Sequence, residues 1–197
     1  KWNVQPGAPT HLTELFGPVL SVMRFEKLDE AIDLIHQTGY GLTSGIETLD
    51  EREQEHWQSR VRAGNLYVNR PTTGAIVLRQ PFGGMGKSTF GPGIKAGGPN
   101  YVAQLMDFTE TAEPEGVDLT NDTLHALAKR VPTAELEAAL RSYTKQAHEE
   151  FTCEHDHQRL LGQDNLRRYC HIRRLCIYLH ADDTQFEIAA RLGAAHT

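Results

Sequence analysis

The sequence predicts an α/β fold: a parallel sheet with crossover helices, followed by a mixed α/β C-terminal extension. Two observations carry that expectation. Between residues 14 and 70, apolar β-rich runs alternate with helical stretches in the order strand, helix, strand, helix, strand. Such alternation builds a parallel sheet whose connections cross over its faces. After residue 108 the chain turns acidic, with Pro114 and Gly116, and then takes up helical periodicity. That change marks a linker and a second region.

The elements follow in order. Residues 1–13 are polar, carry Pro6 and Pro9, and read as an extended loop. Within Leu15–Phe25, the run Val19-Leu20-Ser21-Val22-Met23-Arg24-Phe25 reads as the first strand. Asp29 is placed to cap a helix to about His36, with Ala31, Ile32, Leu34 and Ile35 apolar, and Gly39 and Gly41 end it. Leu42–Ile46 is a short strand, Asp50 opens a polar helix Glu51–Arg62, and Gly64 stops it. Asn65–Asn69 is the third strand. In open sheets of this kind ligands lie beyond the carboxyl ends of the strands. The loop that starts at Arg70 lies at such an end.

Asn100–Phe108 returns to strand-like composition, and residues 109–133 are assigned to a linker. Ala134–Arg159 has helical periodicity, with an apolar stripe of Leu136, Ala139, Leu140, Tyr143, Ala147 and Phe151. Ile172–Leu179 alternates in strand fashion, and Thr184–Ala195 reads as a helix.

Bulk composition excludes several classes. The chain has 197 residues, 39% of them hydrophobic, and a net charge of −6. An acidic balance gives no broad case for nucleic acid. No apolar run approaches the ~18 residues of a membrane span. No signal peptide is visible, and Cys153, Cys170 and Cys176 suit a reducing compartment better than a disulfide framework. A cytoplasmic location is expected. The start at Lys1-Trp2-Asn3, without an initiator Met, reads as a piece of a longer chain or a processed one.

The run Gln80-Pro81-Phe82-Gly83-Gly84-Met85-Gly86-Lys87-Ser88-Thr89 contains the second half of a phosphate-binding P-loop. The full motif needs a glycine five residues before Gly86, and a helix after the Ser or Thr. Pro81 stands at that position, and Phe90-Gly91-Pro92-Gly93 is a poor helix start. A triphosphate site is therefore not expected. So many glycines do imply backbone in unusual conformations or in close approach.

Three ordered motifs carry a resemblance. Glu14-Leu15-Phe16-Gly17-Pro18-Val19 resembles the signature Glu-(Ile/Leu)-Phe-Gly-Pro-Val of aldehyde dehydrogenases. Gly41-Leu42-Thr43-Ser44-Gly45 and Ala63-Gly64-Asn65-Leu66-Tyr67-Val68-Asn69-Arg70 follow in the same order as in that family. Thr73-Gly74-Ala75-Ile76, Gln80–Gly84 and Lys95-Ala96-Gly97-Gly98-Pro99 resemble the pyrroline-5-carboxylate (glutamate-semialdehyde) branch, including the dehydrogenase part of bifunctional proline-utilisation enzymes.

The resemblance implies that residues 1–108 are the last part of a catalytic domain, with a final oligomerisation strand. It implies that 134–197 is an extension, whose Leu161–Tyr169 and Ala181–Phe186 look somewhat like the opening of a non-catalytic aldehyde dehydrogenase-like domain. NAD is the implied cofactor, with FAD added if a proline-oxidising half precedes this piece. A small aldehyde is the implied substrate and a homo-oligomer the implied assembly.

The implied site can be placed residue by residue. Glu14 would hold the ribose hydroxyls beside the nicotinamide, and a carboxylate can accept both hydrogen bonds of a diol. Phe16 would pack near the nicotinamide ring. The turn at Thr73, Gly74 and Ala75 would anchor the substrate carboxylate on bare amides. Phe82 would wall the aldehyde pocket. On their own, Glu14 is an ordinary surface acid, Phe16 and Phe82 ordinary core residues, and Gly74 an ordinary turn glycine. In relatives the nucleophilic Cys lies upstream of the Glu14 motif, and no cysteine precedes Glu14 here. The chain alone is expected to be inactive.

A competing reading rests on the tail. Cys153-Glu154-His155-Asp156-His157, Cys170-His171 and Cys176 with His180 offer zinc-type ligands. The spacing fits no common zinc pattern. If that stretch is helical, Cys153 and His157 share a face and His155 points away. A non-catalytic interaction or zinc-binding module is the alternative function.

Overall fold

Two parallel strands lie side by side in the first half of the chain: β2 (Thr43–Ile46) and β3 (Asn65–Val68), with Thr43 opposite Asn65 and Ile46 opposite Val68. The computed structural model describes residues 1–76, 79–91, 93–109, 117–119, 121–172 and 174–197. The chain divides into two compact units, Lys1–Met106 and Asp107–Thr197.

In the first unit, helix α1 (Pro9–Leu12) precedes α2 (Leu28–Gln37), β1 (Tyr40–Gly41), β2, α3 (Glu51–Arg60) and β3. Lys27, not Asp29, is the N-cap of α2. Glu30 closes that end instead, its carboxylate accepting from the Glu26 N–H at 3.0 Å. Asp29 turns to α3 and meets His56 Nε2 at 2.6 Å. Asp50 caps α3 as its type predicts, accepting from the Arg52 N–H at 3.0 Å. The Arg52 guanidinium and N–H together hold the Asp50 carboxyl down at about 2. Helix α3 ends before Arg62, because Val61 turns to an extended conformation and buries its side chain.

Alternation along β3 divides its work between two faces. Leu66 and Val68 pack with Ile32, Trp57, Val61 and Ala63 in the core shared with the helices. Asn65 and Tyr67 face the other way and are buried. Burying Ile32 and Trp57 side chains contributes roughly 1.5–3 kcal/mol each.

Three expectations are corrected here. Leu15–Phe25 forms no strand: it bends at Phe16–Pro18 and is held through Val4 N–H to Val22 O at 3.0 Å, Val22 N–H to Lys1 O at 2.8 Å and the Ser21 hydroxyl to Thr10 O at 2.8 Å. Asn100–Phe108 folds into turns and a 3₁₀ helix at Ala103–Leu105, since its groups close on one another, as in Leu105 N–H to Val102 O at 2.8 Å. The strand β4 (Met85–Gly86), antiparallel to β1, went unpredicted because two residues in a glycine-rich run show no period.

The second unit is built on α4 (Asp122–Arg130), α5 (Ala134–Gln146) and α6 (Gln185–His196). Leu124, Leu136, Leu140, Ala189 and Ala190 form its core. Helix α4 lies inside the stretch assigned to a linker, and its buried Leu124 explains why it is ordered structure. Residues 110–116 and 120 of that stretch lie outside the described residues. Thr184 and Glu187 start α6 with a reciprocal capping box. Gly193 is where α6 meets α5, since a Cβ there would overlap Leu140 Cδ2.

The expected helix to Arg159 stops earlier. A π-helical turn, Ala147–Phe151, follows α5 and closes with Thr152 N–H on Ala147 O. Phe151, expected in the buried stripe, is 48% exposed and stacks edge-on against Tyr169 with ring centroids 4.9 Å apart. The chain then doubles back, with His155 bridged to Arg167. Ile172–Leu179 forms no strand among the described residues; Ile172, Leu175, Tyr178 and Leu179 are exposed. Alternation alone does not make a strand without an edge to pair with.

Behind that bridge, Glu150 meets Arg167 Nη1 at 2.8 Å and the Tyr169 hydroxyl at 3.1 Å. The Arg167 hydrogen bond, then that of Tyr169 and the charges of Arg167 and His155, hold its carboxyl below the usual glutamate value of 4.5. A depressed carboxyl contributes stability above its unfolded pKa and loses it as pH falls through the folded value. Wild-type chain is therefore expected to lose melting temperature steeply below pH ~4.5, a pH set by the ordinary glutamate range. Glu150→Gln is expected to flatten that loss; parallel pH profiles for the two proteins would refute it.

Candidate functional site

The loop that leaves β3 is the candidate site, and its geometry starts from the strand. Tyr67 reaches across to the loop's far end, its hydroxyl donating to Gln80 Oε1 at 3.0 Å. The Arg70 guanidinium lies over the Tyr67 ring at 5.3 Å. Between these two points Thr73–Ala75 belongs to no helix or strand. Gly74 has φ +80°, and a Cβ on it would meet nothing within 4 Å. The glycine is thus required by backbone conformation and not by crowding. Among the described residues, the N–H groups of Thr73, Gly74 and Ala75 have no hydrogen-bond partner, and all three residues are exposed. Val77 and Leu78 lie outside the described residues.

Phe82 is half-buried and its backbone pairs with Ala96 in both directions, each bond 2.9 Å. Glu14 sits in the exposed turn after α1. Its carboxylate has no hydrogen bond or ion pair among the described residues. Phe16, two residues on, is 93% exposed and adopts φ +40°. A bulky residue in the left-handed region is uncommon and is the mark of a constrained turn. The structure therefore keeps Gly74, Ala75 and Phe82 on one segment tied to β3. Among the described residues, no hydrogen bond joins Glu14 or Phe16 to that segment. Helix α1, which precedes them, is tethered to α2 through His11 Nε2 and Leu34 O at 2.9 Å.

The half P-loop is structural. Gly86 is in β4, Lys87 donates to Thr38 O at 3.0 Å and lies over the Tyr40 ring, and the Ser88 hydroxyl accepts from the Gly41 N–H at 3.1 Å. No helix opens directly after Ser88 among the described residues. The zinc alternative also lacks a centre: among the described residues no group of three or more His, Cys, Asp or Glu side chains could hold a metal ion. Residues 153–157 are not helical, so the helical arrangement of Cys153, His155 and His157 does not apply; the His155 and His157 rings stack 5.7 Å apart. No helix among the described residues is long and apolar enough to cross a membrane.

Three side chains escaped sequence reasoning: Asn65, Tyr67 and Lys95. Asn65 carried a signal, because Asn is depleted in strands, and one that opens a buried strand must find partners for its amide.

Comparison with known proteins decides the family. The profile of the aldehyde dehydrogenase family matches residues 1–111, which is more than half of the chain. The chain belongs to the aldehyde dehydrogenase family. It is 43% identical over 132 residues to the bifunctional protein PutA of Rhizobium meliloti, covering 64% of this chain and 11% of that protein. It is 39% identical over 111 residues to 1-pyrroline-5-carboxylate dehydrogenase 2 of Bacillus subtilis, covering 56% of this chain and 21% of that protein.

Among solved structures, proline utilization A (PutA) from Corynebacterium freiburgense matches with a TM-score of 0.86 and 40% identity. That match covers 99% of this chain and 20% of the PutA chain, so it takes in the second unit as well as the first. This aldehyde dehydrogenase chain thus spans about a fifth or less of the length of these relatives. The α/β elements of the first unit are those of a partial aldehyde dehydrogenase domain.

Proposed function

We propose that this chain is the last part of the catalytic domain of an NAD-dependent dehydrogenase that oxidises L-glutamate γ-semialdehyde, formed from pyrroline-5-carboxylate, to L-glutamate in proline catabolism. One observation carries the choice of substrate. The stretch Thr73–Ala75, with Gly74 at positive φ, has amides without a hydrogen-bond partner among the described residues, in a chain whose relatives include a 1-pyrroline-5-carboxylate dehydrogenase and PutA. Clustered free N–H groups form an anion nest without a charged side chain. A simple aldehyde has no use for one; an aldehyde that carries a carboxylate does.

The other roles follow in this reading. Glu14, whose carboxylate has no partner among the described residues, accepts hydrogen bonds from the ribose hydroxyls of NAD. Phe16 presents its ring beside the nicotinamide. Phe82 walls the pocket and helps to exclude water. NAD supplies the hydride acceptor when bound, and FAD enters only if the longer protein has a proline-oxidising half. The thiolate nucleophile is assigned to none of Cys153, Cys170 and Cys176, which all lie in the second unit. The longer enzyme is read as a homo-oligomer, with residues 107–197 serving packing or assembly.

The test is an NADH-formation assay. The longer enzyme is expected to reduce NAD with glutamate semialdehyde, to prefer it over an aliphatic aldehyde of equal length, and the 197-residue chain alone to show no turnover. Equal use of both aldehydes would remove the anchor and, with it, the substrate assignment.

A further inference from the structure

We propose that Asn65 is a positioning residue that sets the substrate-pocket wall by gripping the backbone on both sides of Phe82. The inference rests on the proposed function for its link to substrate, but the grip itself is geometric. Asn65 lies on the buried face of β3 and is 8% exposed. Its Nδ2 donates to Pro81 O at 3.1 Å and its Oδ1 accepts from the Gly83 N–H at 3.3 Å. These are the groups flanking Phe82 on one edge. On the other edge, Phe82 N–H and O pair with Ala96.

Lys95 completes the hold. Its ammonium donates to Gly83 O at 3.2 Å and also to Gly64 O, next to Asn65. Gly64 and Gly83 touch so closely that a Cβ on Gly64 would overlap the Gly83 carbonyl. Every backbone N–H and C=O from Pro81 to Gly83 therefore has a partner, since proline has no N–H. An amide side chain that offers one donor and one acceptor to a neighbouring backbone acts as a one-residue strand edge. It does this for the backbone groups on either side of Phe82, whose own N–H and C=O are held by Ala96.

The contrast along the loop is the reason to assign a role. The Thr73–Ala75 amides have no hydrogen-bond partner among the described residues, whereas every backbone group of Pro81–Gly83 has one. The segment that would bind is left open, and the segment that would wall the pocket is clamped. A wall residue displaced by even ~1 Å misplaces the reacting carbon, at a cost on the order of 100-fold in rate in well-positioned sites.

The grip is tested in the 197-residue chain by amide hydrogen exchange. Phe82 and Gly83 are expected to exchange slowly and Gly74 rapidly; rapid exchange at Gly83 in the wild-type chain overturns the clamp without any variant. In Asn65→Ala, Gly83 is expected to lose protection while Phe82 keeps part of its own.

The role is tested in the longer enzyme. Asn65→Ala and the size-matched Asn65→Asp are expected to raise KM for glutamate semialdehyde about tenfold, in line with lost buried hydrogen bonds, with KM for NAD unchanged. The preference for the semialdehyde over a shorter aldehyde is expected to fall. Equal rises in both KM values, or an unchanged preference, overturn the positioning role. A wild-type enzyme that does not oxidise the semialdehyde overturns the functional reading and the substrate role of Asn65 together, while slow Gly83 exchange would still uphold the grip.

Discussion

Glu14→Ala in the longer enzyme is expected to lower kcat/KM for NAD on the order of 100-fold. Hydrogen bonds to a charged acceptor contribute about 1.5–3 kcal/mol each, and the exposed position of Glu14 places the pair at the low end. A loss near 3 kcal/mol is about a hundredfold in an equilibrium or rate constant. The fold should be untouched, because the carboxylate makes no hydrogen bond or ion pair among the described residues. KM for the semialdehyde is expected to stay within a few-fold of wild type. Glu14→Gln, which keeps one acceptor, falls between. Steady-state kinetics with both substrates varied checks this, and wild-type NAD kinetics in Glu14→Ala would falsify the assignment.

Gly74→Val is expected to raise KM for glutamate semialdehyde roughly 10- to 100-fold. Two effects act together. A β-branched residue at the φ of +80° found here is a steric outlier and costs about 1–3 kcal/mol. The chain relieves that strain by moving, which reorients the three amides. The added side chain also stands where the carboxylate would approach. Space is not the difficulty, since a Cβ on Gly74 meets nothing within 4 Å. Melting temperature is therefore expected to change little. The decisive measurement is selectivity. The ratio of kcat/KM for the semialdehyde to that for an uncharged aldehyde should collapse, while KM for NAD holds. An unchanged ratio would move the anchor elsewhere.

Much of the first unit was legible because local signals and burial agree there. Asp50 has the type, and the position before a helical stretch, that an N-cap needs, and it caps α3. Asn65–Val68 alternates as a strand and pairs in parallel with Thr43–Ile46. Where a run was apolar but had no edge to pair with, period misled: Val19–Phe25 and the described residues of Ile172–Leu179 form no strand. Asn100–Phe108 failed for the same reason. In the tail, helix α4 was hidden by the acidic composition around it, although Asn121 is an ordinary cap whose Oδ1 takes the Thr123 N–H at 2.7 Å.

The sequence by itself determined the family and the residue types of the candidate site. Ordered motifs need chemistry at fixed spacings, and spacing is a one-dimensional property. Glycine at position 74 also permits the φ of +80° found there, because local backbone preference is written in residue type. Only the tertiary structure decided which amides stay bare and which are held. That depends on what lies across space from each one: no partner among the described residues for the Thr73–Ala75 amides, but Asn65, Lys95 and Ala96 around Pro81–Gly83. Asn65 lies 16 residues from Pro81 in the chain. No local rule pairs a strand amide with a loop carbonyl at that distance, and folding alone brings them within 3.1 Å.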